Sequence, residues 1–183
     1  MPRWVSLCLG AALFVQPAAA GPIDERVFSA FEALCLDNMN EIGRVPSFAS
    51  AIGMVELNGE KAKPLLDGHA GHAWVGGAKE TARYALMLTD EGSCGVTGPD
   101  ANGKEVLALF LSNSRNQRLS TEKIGSSVRS VFAVTHPSRR GLEDIHAVVS
   151  IMTPNLPTVP GVNLSAIPEA LAAANGIKVP VWP

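Results

Sequence analysis

A chain of 183 residues with 15 basic and 17 acidic side chains has a formal net charge of −2. It has no cationic surplus with which to neutralise a nucleic-acid backbone, so no nucleic-acid partner is expected. One tyrosine, six phenylalanines and three tryptophans leave few stacking platforms for single strands or sugars. Beyond the first twenty residues, no apolar run approaches the roughly 20 residues needed to cross a bilayer, so stable membrane insertion is not expected after processing.

The first twenty residues read as a cleavable secretory signal peptide. Arg3 supplies a positive start, and Trp4 to Val15 form an apolar run broken only by Ser6 and Gly10. Gln16 and Pro17 interrupt that run, and Ala18-Ala19-Ala20 offers the small side chains a signal peptidase accepts. Gly21 is the expected new N-terminus. Cys8 follows the bulky Leu7 too early in the apolar run for a lipoprotein site. The expected product is periplasmic or secreted, a single domain over 21–183 with a proline-rich C-terminal extension from about 154.

Two cysteines remain after cleavage, Cys35 and Cys94. In an oxidising compartment an even pair predicts a disulfide. Closing so long a loop would stabilise the fold by roughly 4 kcal/mol in the chain-entropy account. A redox pair would be expected as Cys-x-x-Cys, which the chain lacks.

Taken in order, the first mature element is a helix. Val27, Phe28, Phe31, Leu34 and Cys35 recur on one helical face, with Asp24 as a candidate N-cap. The period runs on through Met39 and Ile42 to Gly43. A second short helix is predicted from Pro46, with Phe48, Ala51, Ile52 and Val55 as its apolar face. Asn58-Gly59 marks a turn, and Pro64, Gly68 and Gly71 predict a loop over 60–72.

Strands are predicted at 73–75 and 82–89. A turn at Asp90-Glu91-Gly92 leads to a return strand over 93–97 that carries Cys94. The disulfide would then clamp the first helix onto the sheet. Val106, Leu107, Phe110 and Leu111 predict a helix over 103–112, followed by a polar connection over 113–126. The β-branched stretches 128–136 and 145–153 predict an antiparallel hairpin.

Pro154, Pro157 and Pro160 argue against a central strand and for an extended wrap. Ser165 is a candidate cap for a last helix running to about Ala174, and Gly176 would end it. No internal repeat is visible. The expected class is α+β: an antiparallel sheet of four or five strands, with helices packed mainly on one face.

A Cys-bearing first helix, a Trp strand, and a Tyr strand turning into Cys-Gly-Val resemble families of small exported bacterial proteins of unknown function. Phe31, Cys35, Trp74, Tyr84, Cys94, Gly95 and Val96 carry the resemblance. It implies export and the disulfide, and it implies no activity.

Candidate chemistry centres on histidine. His69 and His72 have a spacing that lets two imidazoles share a metal ion in a turned backbone. Zinc needs at least three protein ligands, and the competing reading is two exposed loop histidines. His136 and His146 flank the last hairpin loop. If Gly141 is its centre, they face each other on one side and form, with Asp144 nearby, a small acid–base or metal site.

Ser120-Thr121-Glu122-Lys123 matches Ser-x-x-Lys, but the later motifs of penicillin-recognising enzymes are missing, and a helix cap is the simpler reading. Phosphate loops, nucleophile elbows and His-Glu-x-x-His are also missing. In the tail, Ile177, Val179 and Val181 alternate, with Trp182 beside the terminus, as a strand added to a partner's sheet edge would, and an envelope protein is the candidate partner; the competing reading is a tail packed on its own domain. With no assembled catalytic set and no cofactor expected, the first reading is a non-enzymatic binding or accessory module. The alternative is a small hydrolase or metal-dependent enzyme using His72, His136 or His146, with Asp144 or Glu143 beside them.

Overall fold

A computed structural model describes residues 21–76, 84–137, 144–156 and 158–179. The expected signal peptide, the first residues of the predicted strand over 82–89, and Gly141, Val181 and Trp182 lie outside them. No helix of the described residues is long and apolar enough to cross a membrane.

The protein is α+β, built on one antiparallel sheet of eight strands rather than the expected four or five. In chain order the elements begin with helix α1 (Pro22–Leu34), a 3-10 helix (Leu36–Arg44), α2 (Val45–Ala51), β1 (Val55–Glu56) and α3 (Gly59–Leu66). Strands β2 (Gly71–Gly76), β3 (Tyr84–Thr89) and β4 (Cys94–Gly98) follow, then α4 (Gly103–Asn113). The second half holds β5 (Arg115–Ile124), β6 (Ser127–His136), β7 (Ile145–Pro154), β8 (Val162–Pro168) and α5 (Glu169–Ala174). The strand order is β1-β2-β3-β4-β8-β7-β6-β5. Two four-stranded meanders are therefore joined by the antiparallel pairing of β4 with β8. No sequence repeat announces that arrangement.

Alternation along the strands sorts the side chains. Trp74, Leu86, Cys94, Val96, Phe132, Val149, Ile151 and Leu164 share one core with Val27, Phe31 and Leu34 of α1 and Val106 and Phe110 of α4. A smaller cluster joins Ala62 and Leu66 of α3 to Ala73 and Met87, the alternate residues of β2 and β3.

Asp24 is the third residue of α1 rather than its cap, a place held by Gly21. Its buried carboxylate accepts from the Gly21 N–H at 2.9 Å and from the Asn102 N–H at 2.7 Å. One acidic group thus ties the start of α1 to the start of α4, where it also suits both helix dipoles. Asn38 closes the other end of α1, donating to the free carbonyls of Ala33 and Leu34. Gly98 lets α1 approach: a Cβ there would meet Val27 Cγ2 at 2.6 Å.

Four local expectations change. Residues 60–72 are not a loop: Asn58 caps α3 by accepting from the Lys61 N–H, and Pro64 is tolerated inside this short helix. The polar connection over 113–126 is edge strand β5. It has no apolar signature because it is exposed on both faces and pairs on one side only. Val162–Pro168 is a central strand, since Pro154 and Pro160 precede it and Pro168 ends it; α5 starts only at Glu169. In α2 the buried side chains are Val45 and Ala49, while Phe48 and Ile52 are exposed.

Cys35 and Cys94 form the disulfide, which joins the end of α1 to β4 across 59 residues. Both residues are fully buried. In the chain from Gly21 onward, no thiol should alkylate before reduction. Replacing both cysteines by alanine should lower the urea-unfolding free energy by about 2–4 kcal/mol. A loss under about 0.5 kcal/mol would show that core packing alone holds α1 on the sheet.

Candidate functional site

The four histidines fall in separate places. His69 approaches Glu91 at 3.6 Å, and His72 meets Glu56 at 2.7 Å while stacking on Trp74. These two imidazoles therefore engage different carboxylates. Glu91 titrates below its ordinary value, first through a hydrogen bond with Thr89 and then through its backbone and His69.

The hairpin pairs His136 with Ile145 and Thr135 with His146. That offset puts His136 and His146 on opposite faces, not on one face as expected. His136 points into the core face and is 3% exposed, and its Nε2–H donates to Asp37 at 2.8 Å. His146 contacts Thr135 at 3.4 Å on the other face. Asp144 borders a small hollow with Arg115, Thr135 and Pro137. No group of three or more His, Cys, Asp or Glu side chains able to hold a metal ion occurs among the described residues. Ser120 and Lys123 lie in β5, three residues apart in a strand, so they face opposite sides and Ser120 caps no helix.

Among the described residues, two further hollows are candidates. The first is a cleft of about 360 Å³ between α1, α2 and β3, walled by Ala30, Leu34, Phe48, Ile52 and Tyr84. Its polar groups are already used in the fold. Asp37 holds His136, and the Asn38 amide caps α1. Asn38 Oδ1 and His136 Nδ1 have no hydrogen-bond partner among the described residues, yet both are sealed from solvent. They add the cost of buried unpaired atoms and offer nothing to a ligand.

The second hollow is a trough on the sheet face opposite the main core. Strand register sets its floor as a row across the sheet: Met87, Gly95, Ser165, Ser150, Val131 and Ser120. The neighbouring row holds Thr97, Asn163, Met152, Arg129 and Glu122. Two compartments of about 400 and 310 Å³ share Arg129, Ser150 and Ser165. Both volumes suit small-ligand sites, which span about 300–1,000 Å³.

The larger compartment is walled by Leu119, Val131, Val148, Ile167 and Ile177, with Lys178 and Glu122 also lining it. The smaller one has Leu65 and Leu66 of α3 with Met87 and Met152. Gly95 keeps the floor low, since a Cβ there would meet the Leu164 carbonyl at 2.9 Å and the Met87 methyl at 3.1 Å. Arg129 pairs with Glu122 through Nε at 2.6 Å and through a second nitrogen. Both side chains are more than two-fifths exposed, so the pair contributes under about 1 kcal/mol and can rearrange. Neither serine hydroxyl has a hydrogen-bond partner among the described residues.

No sequence pattern pointed to the trough as a site: Ser120, Glu122, Gly95, Ser165 and His69 drew notice for other reasons, and Arg129 and Ser150 drew none. Ser150 and Ser165 did leave a trace, each a lone hydroxyl inside an apolar strand segment (Val148-Val149-Ser150-Ile151 and Leu164-Ser165-Ala166-Ile167). Their meeting depends on the β7–β8 register. At the start of the tail, Ile177 and Lys178 line the trough and Val179 is partly buried, while Val181 and Trp182 lie outside the described residues.

Tyr84, the single tyrosine, reports on the cleft. Burial pushes its pKa above the ordinary 10.0. The neutral phenol is the form the fold accepts, so its contribution is present below pH 10.0 and is lost as pH rises through the raised value. Ultraviolet titration should therefore give a midpoint above 10.0, and one at or below it would place Tyr84 in solvent. Compared with protein-family models, curated proteins and solved structures, the chain matches none.

Proposed function

We propose that this is an exported, non-enzymatic binding module of the periplasm or exterior, and that the trough is its ligand site. The observation that carries the reading is the pair Ser150 and Ser165. Two uncommitted hydroxyls lie side by side on the floor of a concave site whose larger compartment is mainly apolar. Rigid central strands hold both, which preorganises them for a ligand. The disulfide and the apolar segment before Gly21 support export, as does the resemblance to small exported bacterial proteins.

The alternative of a hydrolase or metal-dependent enzyme requires His72, His136 and His146 to converge. They are held by Glu56, by Asp37 and beside Thr135, at different places on the sheet. No observation favours that reading.

The test uses Nile red, an uncharged dye that brightens in apolar surroundings. One dye per protein should bind. Ser150→Trp, which fills the shared floor, should weaken binding at least about tenfold, or about 1.4 kcal/mol. Its unfolding midpoint should stay close to that of the parent protein. No brightening with the parent protein, or full brightening with Ser150→Trp, would remove the trough as the site.

A further inference from the structure

We infer that the trough takes an anionic, single-chain amphiphile: a carboxylate or phosphate head on one hydrocarbon chain. The inference rests on the trough being the binding site and names the ligand class for it.

The head follows from the balance of donors and charge. Ser150 and Ser165 present hydroxyls that can donate, while the guanidinium of Arg129 and the ammonium of Lys178 can only donate. The one carboxylate in the larger compartment, Glu122, is engaged by Arg129. Lys178 makes no ion pair among the described residues. The larger compartment thus carries a surplus of donors and one uncompensated positive charge. An oxyanion is the group that satisfies both. Asp67 and His69 belong to the smaller compartment, beyond the shared floor.

The chain follows from the walls. Val131, Val148 and Ile167 lie on three neighbouring strands, with Val148 directly opposite Ile167. Ile177, after α5, lines the same compartment. These side chains offer no polar atom, so a second polar group on the ligand would lose its water without recompense. They form one apolar strip, which suits one hydrocarbon chain. With the head over Ser150 and Ser165, the chain runs along that strip.

Calorimetric titration of the purified protein below the micelle threshold tests this with three twelve-carbon probes. They are laurate, lauroyl lysophosphatidate and dodecyltrimethylammonium. At least one anionic probe should bind once per protein and at least about tenfold tighter than the ammonium probe. Binding of laurate alone identifies a free fatty acid as the source, and binding of the lysophosphatidate alone identifies a phosphate-headed lipid. Lys178→Glu, in the exposed segment after α5, should weaken the anionic probe several-fold and strengthen the ammonium one. Equal binding of all three probes, or binding of none while Nile red still binds, overturns the ligand class and leaves the site standing. Failure of Nile red as well overturns both.

Discussion

Strand β4 is held on three sides. It pairs with β3 and with β8, and through Cys94 it is bonded to the end of α1. The β4–β8 ladder is the seam between two meanders that, among the described residues, share no other strand pairing. It sets which side chains of the second half lie beside which of the first. A one-residue slip there would turn Leu164 and Ala166 out of the core and bury Asn163 and Ser165. The disulfide and the close fit of Gly98 against Val27 locate β4 relative to α1, and the core places of Leu164 and Ala166 oppose that slip.

The two faces of the sheet are chemically different as a result. On the core face, Phe132, Val149 and Leu164 meet α1 and α4 with almost no polar intrusion. Ser130 and His136 are exceptions, and His136 is answered by Asp37. On the opposite face α3 packs on β2 and β3, and the segment after α5 reaches β7 and β8 at the trough. The central strands there carry Ser150, Ser165, Asn163 and Arg129 among valines and methionines, a mixture that suits a ligand better than a packed helix. Ordering a ligand on rigid strands costs less entropy than ordering it on loops.

Histidine in this protein follows local acids rather than a shared centre. His69, His72 and His136 each have a carboxylate neighbour, and three different acids supply it. Of these pairs only His136–Asp37 is enclosed, at the junction of the 3-10 helix with β6. There it fixes the helical layer to the end of a long strand. Removing the imidazole would leave the Asp37 carboxylate without this partner and so cost stability.

Patterns that repeat along the chain were legible without a structure. The 3.6-residue period of Val27, Phe31 and Leu34, the Asp90-Glu91-Gly92 turn and the β-branched pair of strands β6 and β7 are each written in neighbouring residues. The cysteine pairing was legible as well, because Cys35 and Cys94 are the two cysteines after Gly21. Edge strand β5 was not, since exposure on both faces leaves no alternation to read. Central strand β8 was masked by the prolines before it, whose effect depends on whether they fall inside the ladder or just outside. The trough was beyond reach for a further reason. Ser150 and Ser165 come from strands whose register is a tertiary choice, and α3 and the segment after α5 reach it from opposite ends of the fold. The sequence by itself determined the α+β class, the cysteine pair, helices α1, α2 and α4 and the β3–β4 and β6–β7 hairpins, because those follow from spacing of a few residues. Only the tertiary structure decided the eight-stranded order, the opposite facing of His136 and His146, and the meeting of two serines on one floor. Each of those depends on which strand lies beside which, and no local pattern carries that information.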